Sequence, residues 1–361
     1  MNLALIPATL ATLDLTSTSR LVMLEARSLA EAHVPPFPPE FPALLTGVDS
    51  PELAAHLRDM LLAVYPPEHA TVIVKAGRKK EERLLDLGRG NFSASTCLYV
   101  PELAEGTGFE SFQEIVAHLR APDGCPWDRE QTHNSLRTHL MEEAYETLEA
   151  IDSGEPASMR EEFGDLLLQI VLNAQIASEA GQFNMSDVVK GIHHKIIHRH
   201  PHVFGDLELK DVNGVLQNWE RLKEKERGSK NEDKGLLDGV PLSMPALTQA
   251  QEYQDRAARV GFDWPEIQGV LDKIREEIEE VKKAGDEQEL AAEIGDLLFA
   301  LVNLARWKKL DAESALRGTN MKFKKRFGYV EQGAKSQGRS LSDMTLEEMD
   351  ALWNEAKAEG L

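Results

Sequence analysis

The stretch LMEEAYETLEAI, residues 140–151, carries Glu142, Glu143 and Glu146. On a helix these fall within an arc of roughly 100°. On the helix expected next, Glu162 and Asp165 lie one turn apart and face the same way. The arrangement returns in IREEIEEVKKA as Glu276, Glu277 and Glu280, followed by Glu293 and Asp296. Packing the two helices of either set together would gather five carboxylates into one pocket. Like charges at such density cost folding free energy unless a cation neutralises them. All-oxygen ligands on facing helices suit hard divalent ions such as Mg²⁺ or Mn²⁺. Helical glutamates are ordinarily a solvated face; an ExxD beside an apolar stripe, and the occurrence of the whole set twice, argue for metal ligation here.

Basic pairs accompany both sets. Lys322 and Arg326 stand at i, i+4, as do Lys195 and Arg199, so each pair projects two cations from one helix face. Such a pair suits a polyphosphate, with arginine gripping oxygens bidentately and lysine acting as a point charge. Trp353 with Lys357, and Trp219 with Lys223, offer a ring for stacking on a base beside another cation; core tryptophans are the competing reading. His194 and His198 have zinc-compatible spacing, but no cysteine lies nearby and the second copy, TNMKFKKRFGYV, lacks these histidines. They are read as a polar helix end before a proline turn. GLLDGVP lacks the Lys-Ser/Thr of a phosphate loop, and no Ser/His/Asp or Cys/His arrangement stands out. Any chemistry would therefore rest on metal ions.

The elements that must position these residues separate by pattern. Residues 1–105 interleave the β-branched or apolar runs RLVMLEA, ATVIVKA and TCLYVPEL with the helical PELAAHLRDMLLAV, which predicts a small α/β region. Residues 106–230 turn helical; in FGDLLLQIVLNAQIASEAG, the residues Phe163, Leu166, Leu167, Ile170, Val171 and Ala174 form one stripe. Residues 231–245 read as a linker, and 246–361 resume the helical pattern. EEAYE, EFGDLLLQIVLNAQ, KIIHR and WERLK occur in the same order as EEIEE, EIGDLLFALVNLAR, KFKKR and WNEAK. That order marks a tandem duplication, so the chain is expected to be mainly α, with two tandem helical domains behind the α/β region.

Composition narrows the partners. A formal charge of −21 argues against nucleic acid, whose backbone is held by basic patches. No apolar run is long enough to cross a membrane. The N-terminus lacks a basic segment and a cleavage site, and the two cysteines, Cys97 and Cys125, suit a reducing compartment, so a cytoplasmic location is expected.

With these residues in view, GCPWDREQTHNSLRTHLMEEAYETLEAI, REEFGDLLLQIV, HRHPHVFGD and VGFDW…EEIEEV…EIGDLLFALVNLAR closely resemble the MazG nucleoside triphosphate pyrophosphohydrolases over about 109–361. The resemblance implies an all-α fold that forms homodimers and uses Mg²⁺ to hydrolyse nucleoside triphosphates to monophosphate and pyrophosphate, with broad base tolerance. It places metal ligands at Glu143, Glu146, Glu162 and Asp165, and at Glu277, Glu280, Glu293 and Asp296. It also places nucleotide contacts at Lys273, Lys322, Arg326, Trp353 and Lys357, and activity chiefly in the second copy. Glu276 or Glu277 would orient or deprotonate the attacking water. The first copy has His139 where the second has Lys273; with Glu142, Lys195, Arg199, Trp219 and Lys223 it forms a possible second site. The segment ATVIVKAGRKKEERLLDLGRGNFSASTCLYVPEL resembles the closing part of a tetrapyrrole methylase domain, too short for the whole and without its glycine loop, hence a structural or regulatory remnant. A narrower pyrophosphatase for dUTP, phosphoribosyl-ATP or a damaged nucleotide, and a non-catalytic helical interaction protein, are the alternative readings.

Overall fold

A computed structural model describes residues 5–15, 20–208, 211, 214, 215, 218, 219, 222 and 235–361. The chain divides into two compact units, Met1–Lys210 and Asp211–Leu361.

The first unit opens with helix α1 (Ile6–Thr12) and a five-stranded sheet. Its strands are β1 (Val22–Glu25), β2 (Ala43–Thr46), β3 (Ala70–Lys75), β4 (Arg78–Arg83) and β5 (Cys97–Val100), in the order β1-β2-β5-β3-β4. β1 and β2 run parallel; the other neighbours are antiparallel, with Leu45 opposite Leu98 and Leu98 opposite Ile73. Ala76 and Gly77, both at positive φ (50° and 71°), make the two-residue turn of the β3–β4 hairpin. β4, RKKEER, is an edge strand whose charges discourage further pairing. Helix α2 (Pro51–Leu62), N-capped by Ser50, covers the sheet with Ala54, Leu57 and Leu61 fully buried.

One carboxylate ties this region to the helices that follow. Glu40 Oε1 accepts from Gly106 N (2.6 Å), Gly108 N (3.0 Å) and Ser111 Oγ (2.5 Å) at the start of α3 (Phe109–Leu119). The Ser111 hydroxyl first, then the Gly108 amide, hold the Glu40 carboxyl below the usual carboxylate range. Helices α4 (Pro126–Glu130), α5 (Leu136–Ser153), α6 (Pro156–Glu179), α7 (Met185–Arg199) and α8 (Pro201–Phe204) complete the unit. Gly154, at φ 71°, ends α5 and lets the chain reverse into α6, so the two pack side by side.

The stripe expected on α6 is split by the packing. Val171 and Leu172 are buried with Val116 and Leu136, and Ala174 is buried too, whereas Phe163, Leu167 and Ile170 are exposed. A helix with apolar residues around more than half its circumference has two faces to cover, and the first unit covers one.

In the second unit, α9 (Ala246–Arg259), α10 (Ile267–Lys283), α11 (Glu287–Trp307), α12 (Ala312–Ser336) and α13 (Leu346–Ala358) repeat the helical scheme. Asp286 and Asp311 cap α11 and α12, and Thr345 with Glu348 forms a capping box on α13. Residues 235–245, part of the expected linker, are held to α9 by the buried Arg256, which donates to Leu236 O (3.1 Å), Gly239 O (3.3 Å) and Glu252 Oε1 (2.8 Å).

Arg120 plays the corresponding structural part in the first unit. Its side chain, 7% exposed, donates through Nε and Nη2 to Glu179 of α6 at 2.8–3.0 Å and through Nη1 to Asp128 O and Gln131 O. Losing a buried charge that satisfies several acceptors costs about 2–3 kcal/mol. Arg120→Met is expected to destabilise the first unit by about that amount in denaturant melts, and Glu179→Gln by less; equal stability of Arg120→Met and wild type would rule out this role.

Candidate active site

Lys273, Glu276, Glu277 and Glu280 all stand on α10, so helical geometry alone puts the lysine one turn before the carboxylates. Lys273 Nζ lies 2.9 Å from Glu276 Oε1 and 2.7 Å from Glu277 Oε1. Both contacts, Glu277 first, raise the lysine pKa and fix its positive charge. Glu277 is only 3% exposed, and its other oxygen, Oε2, is buried without a hydrogen-bond partner. A buried acceptor left in that state is costly unless a ligand meets it.

Glu293, on the neighbouring α11, completes the group. Carboxylate oxygens of Glu277, Glu280 and Glu293 lie within 4.8 Å of one another. Burial raises the pKa of Glu280, and the Glu277 and Glu293 charges add to the rise. Such a set of hard oxygen donors fits a divalent cation. Asp296, one turn beyond Glu293, lines the adjacent pocket with Lys273 and Glu277.

That pocket has a volume of about 620 Å³ and lies among α9, α10, α11 and the loop 260–266. Tyr253, Phe262, Trp264 and Phe299 give it aromatic walls, while Gln254, Asn303 and Arg306 supply polar groups. The loop is anchored by Asp263 Oδ1, which accepts from Arg306 Nη2 (2.5 Å), Trp307 Nε1 (3.2 Å) and the Trp264 backbone N–H (2.9 Å). Trp264 then packs against α10 at Gly269, where an added Cβ would meet the indole at 2.5 Å. Any side chain at that position would displace the ring.

The remaining residues of the second copy form a different group. Arg326, Trp353 and Lys357 come together at α12 and α13, with the Arg326 guanidinium 5.8 Å and the Lys357 ammonium 6.0 Å from the Trp353 ring. Phe323 packs on Trp353 at 5.2 Å, and Arg326 Nε donates to Leu361 O at 2.6 Å. Lys322 is exposed on the same helix as Arg326. None of Lys322, Arg326, Trp353 or Lys357 lines the pocket beside the carboxylates.

The first copy assembles a matching acidic group. Oxygens of Glu143, Glu146 and Glu162 lie within 4.8 Å of one another. Burial first, then the charges of Asp165 and Glu146, raise the pKa of Glu143; burial and Glu146 do the same for Glu162. His139 takes the lysine position, with Nδ1 3.3 Å from Glu142 Oε2 and its ring 6.0 Å from that of Trp127. Lys195 and Arg199 stand on α7, Trp219 belongs to the second unit, and Lys223 lies outside the described residues. Seven residues after the aspartate, the first copy has Leu172, buried in its core, where the second has Asn303 in the pocket.

Sequence reasoning missed Gln254, Asp263, Trp264, Asn303 and Arg306. VGFDW held the signal for Asp263 and Trp264 and VNLAR that for Asn303 and Arg306, while Gln254 lies in neither; none of the five belongs to an acidic or basic repeat, and only packing shows that they share a cavity.

The model of the MazG nucleotide pyrophosphohydrolase domain matches residues 131–204 and 266–330, one stretch in each copy. The nucleoside triphosphate pyrophosphohydrolase/pyrophosphatase MazG of Thermotoga maritima is 44% identical over 252 residues, covering 70% of this chain and 96% of that protein. The nucleoside triphosphate pyrophosphohydrolase of Escherichia coli K12 is 43% identical over 249 residues, 67% of this chain and 94% of its own length. The uncharacterized protein YabN of Bacillus subtilis is 44% identical over 318 residues, 84% of this chain, and the chain spans 65% of YabN's length. The chain belongs to the MazG nucleotide pyrophosphohydrolase family, with two copies of its helical domain in tandem.

Proposed function

We propose that this chain hydrolyses nucleoside triphosphates to the monophosphate and pyrophosphate, using Mg²⁺ held by Glu277, Glu280, Glu293 and Asp296, with Mn²⁺ as a substitute. The observation that carries the reading is the Glu277 carboxylate: buried, one oxygen on Lys273, the other unpartnered, and converging with Glu280 and Glu293 beside a pocket of nucleoside size. The donor set fits a hard divalent ion. When bound, such an ion supplies Lewis acidity and neutralises charge between the carboxylates and the phosphate chain.

The chain's own groups divide the remaining work. Lys273 holds Glu277 and Glu276 in fixed orientations. Glu276, exposed beside the buried Glu277, is placed to orient or deprotonate water. Lys322, Arg326 and Lys357, the latter two against Trp353, are assigned to the phosphate chain, whose charge must be balanced during transfer. Aromatic pocket walls favour broad base tolerance, because every base offers a face for stacking. Glu142, Glu143, Glu146, Glu162 and Asp165 form the second candidate site, with the second unit's site as the principal one.

A homodimer is part of the same reading. Ile294, Leu298 and Leu301 on α11 are exposed in the single chain and would be covered by a second copy. Sedimentation equilibrium should show a dimer; a monomer at every concentration would remove this element. Both cysteines are free thiols, in keeping with a cytoplasmic site of action. Among the described residues no helix is long and apolar enough to cross a membrane.

Pyrophosphate release from a panel of nucleoside triphosphates with Mg²⁺ tests the central claim. Glu277→Gln is expected to lose at least about 100-fold in kcat/KM, whereas Glu143→Gln retains most activity. Full activity in Glu277→Gln would sink the assignment.

The charge cluster also predicts a pH dependence of stability. Glu280 has a folded-state pKa raised above the ordinary 4.5. The contribution of such a carboxyl is present below its unfolded pKa and lost as pH rises through the raised folded value. Without divalent ions, Glu280→Gln should therefore melt higher than wild type at neutral pH and match it in acid. Added Mg²⁺ should raise the wild-type Tm more than the variant's; the opposite order would count against the metal site.

A further inference from the structure

Gln254 is 7% exposed and lines the pocket, yet its Oε1 is buried with no hydrogen-bond partner. Its Nε2 donates to the Phe299 carbonyl at 2.8 Å, which fixes the amide orientation and leaves Oε1 as a lone acceptor. Asn303, on the same pocket, is oriented in the opposite sense. Its Oδ1 accepts from Arg306 Nε (3.0 Å) and Nη2 (2.8 Å), so Nδ2 is the donor left to it. The anchored Trp264 ring adds an apolar wall of a kind suited to a flat heterocycle.

An acceptor and a donor in one aromatic pocket match the edge of a base that carries an exocyclic amine beside a ring nitrogen. Adenine has that edge at N6 and N1, cytosine at N4 and N3, and guanine at N2 and N3; uracil has no exocyclic amine to set against Gln254 Oε1. We infer that this pocket is the base subsite of the second unit and that Gln254 and Asn303 grade its substrates, favouring amino-bearing bases within a broad acceptance. The inference rests on the pyrophosphohydrolase reading and adds specificity-determining residues to it. It places the base against Trp264, with Trp353 left to the phosphate-side cluster.

The test uses the full chain, ATP, and purine riboside triphosphate, which differs from ATP by the missing amine. Turnover with Mg²⁺ and equilibrium binding of both nucleotides are measured for wild type, Gln254→Met and Trp353→Phe. Wild type should favour ATP by about tenfold, the worth of one buried hydrogen bond. Gln254→Met should lose that preference by weakening on ATP alone, while Trp353→Phe keeps it. The wild-type comparison stands even if Gln254→Met does not fold: equal handling of the two nucleotides overturns the inference, as does an undiminished preference in a folded Gln254→Met protein. Preferential ATP binding with no pyrophosphate release would sink the enzymatic reading and leave the base subsite standing. Turnover of both nucleotides without preference would do the reverse.

Discussion

The second unit is organised around one tension, the packing of like-charged carboxylates on two adjacent helices. Glu277 is pulled into the interior by its place on α10, and a bare carboxylate there would be strongly unfavourable. Lys273 compensates one oxygen at 2.7 Å, and the other is buried without a hydrogen-bond partner. The fold thus carries a built-in demand for positive charge at the point where a phosphate chain would also need it. An overall charge of −21 is consistent with a protein that meets phosphates through cations.

The neighbouring pocket follows from the same helix pair. α10 and α11 set the carboxylates at one side, and the Asp263–Arg306 contact folds the 260–266 loop over the other. Close approach of Trp264 to Gly269 then fixes an aromatic wall within reach of the acidic group. The acidic group and the aromatic pocket are therefore supplied by adjacent turns of the same elements.

Duplication has given two acidic clusters that differ in their surroundings. The first has His139 in place of the lysine and a leucine in its core where the second has Asn303, so an amide that can address a ligand is replaced by packing. Both copies expose apolar residues on the helix that carries the ExxD pair, Phe163, Leu167 and Ile170 in one and Ile294, Leu298 and Leu301 in the other. A helix apolar on two sides has one of them left uncovered in each unit.

Much was legible from residue order. The helices, the strands RLVMLEA, ATVIVKA and TCLYVPEL, and the acidic groups Glu143/Glu146/Glu162 and Glu277/Glu280/Glu293 follow from period, spacing and repetition, because local geometry forces residues one turn apart onto one face. The charged edge strand β4 showed no alternation and was not visible in that way; neither was the splitting of the α6 stripe. The sequence by itself determined the family, the duplication and which carboxylates share a helix face. Only the tertiary structure decided that Glu277 is the buried one, that Gln254, Trp264 and Asn303 enclose a pocket with it, and that Trp353 packs elsewhere. Burial and orphaned hydrogen-bonding groups arise from contacts between residues distant in the chain, and such contacts leave no periodic trace along it.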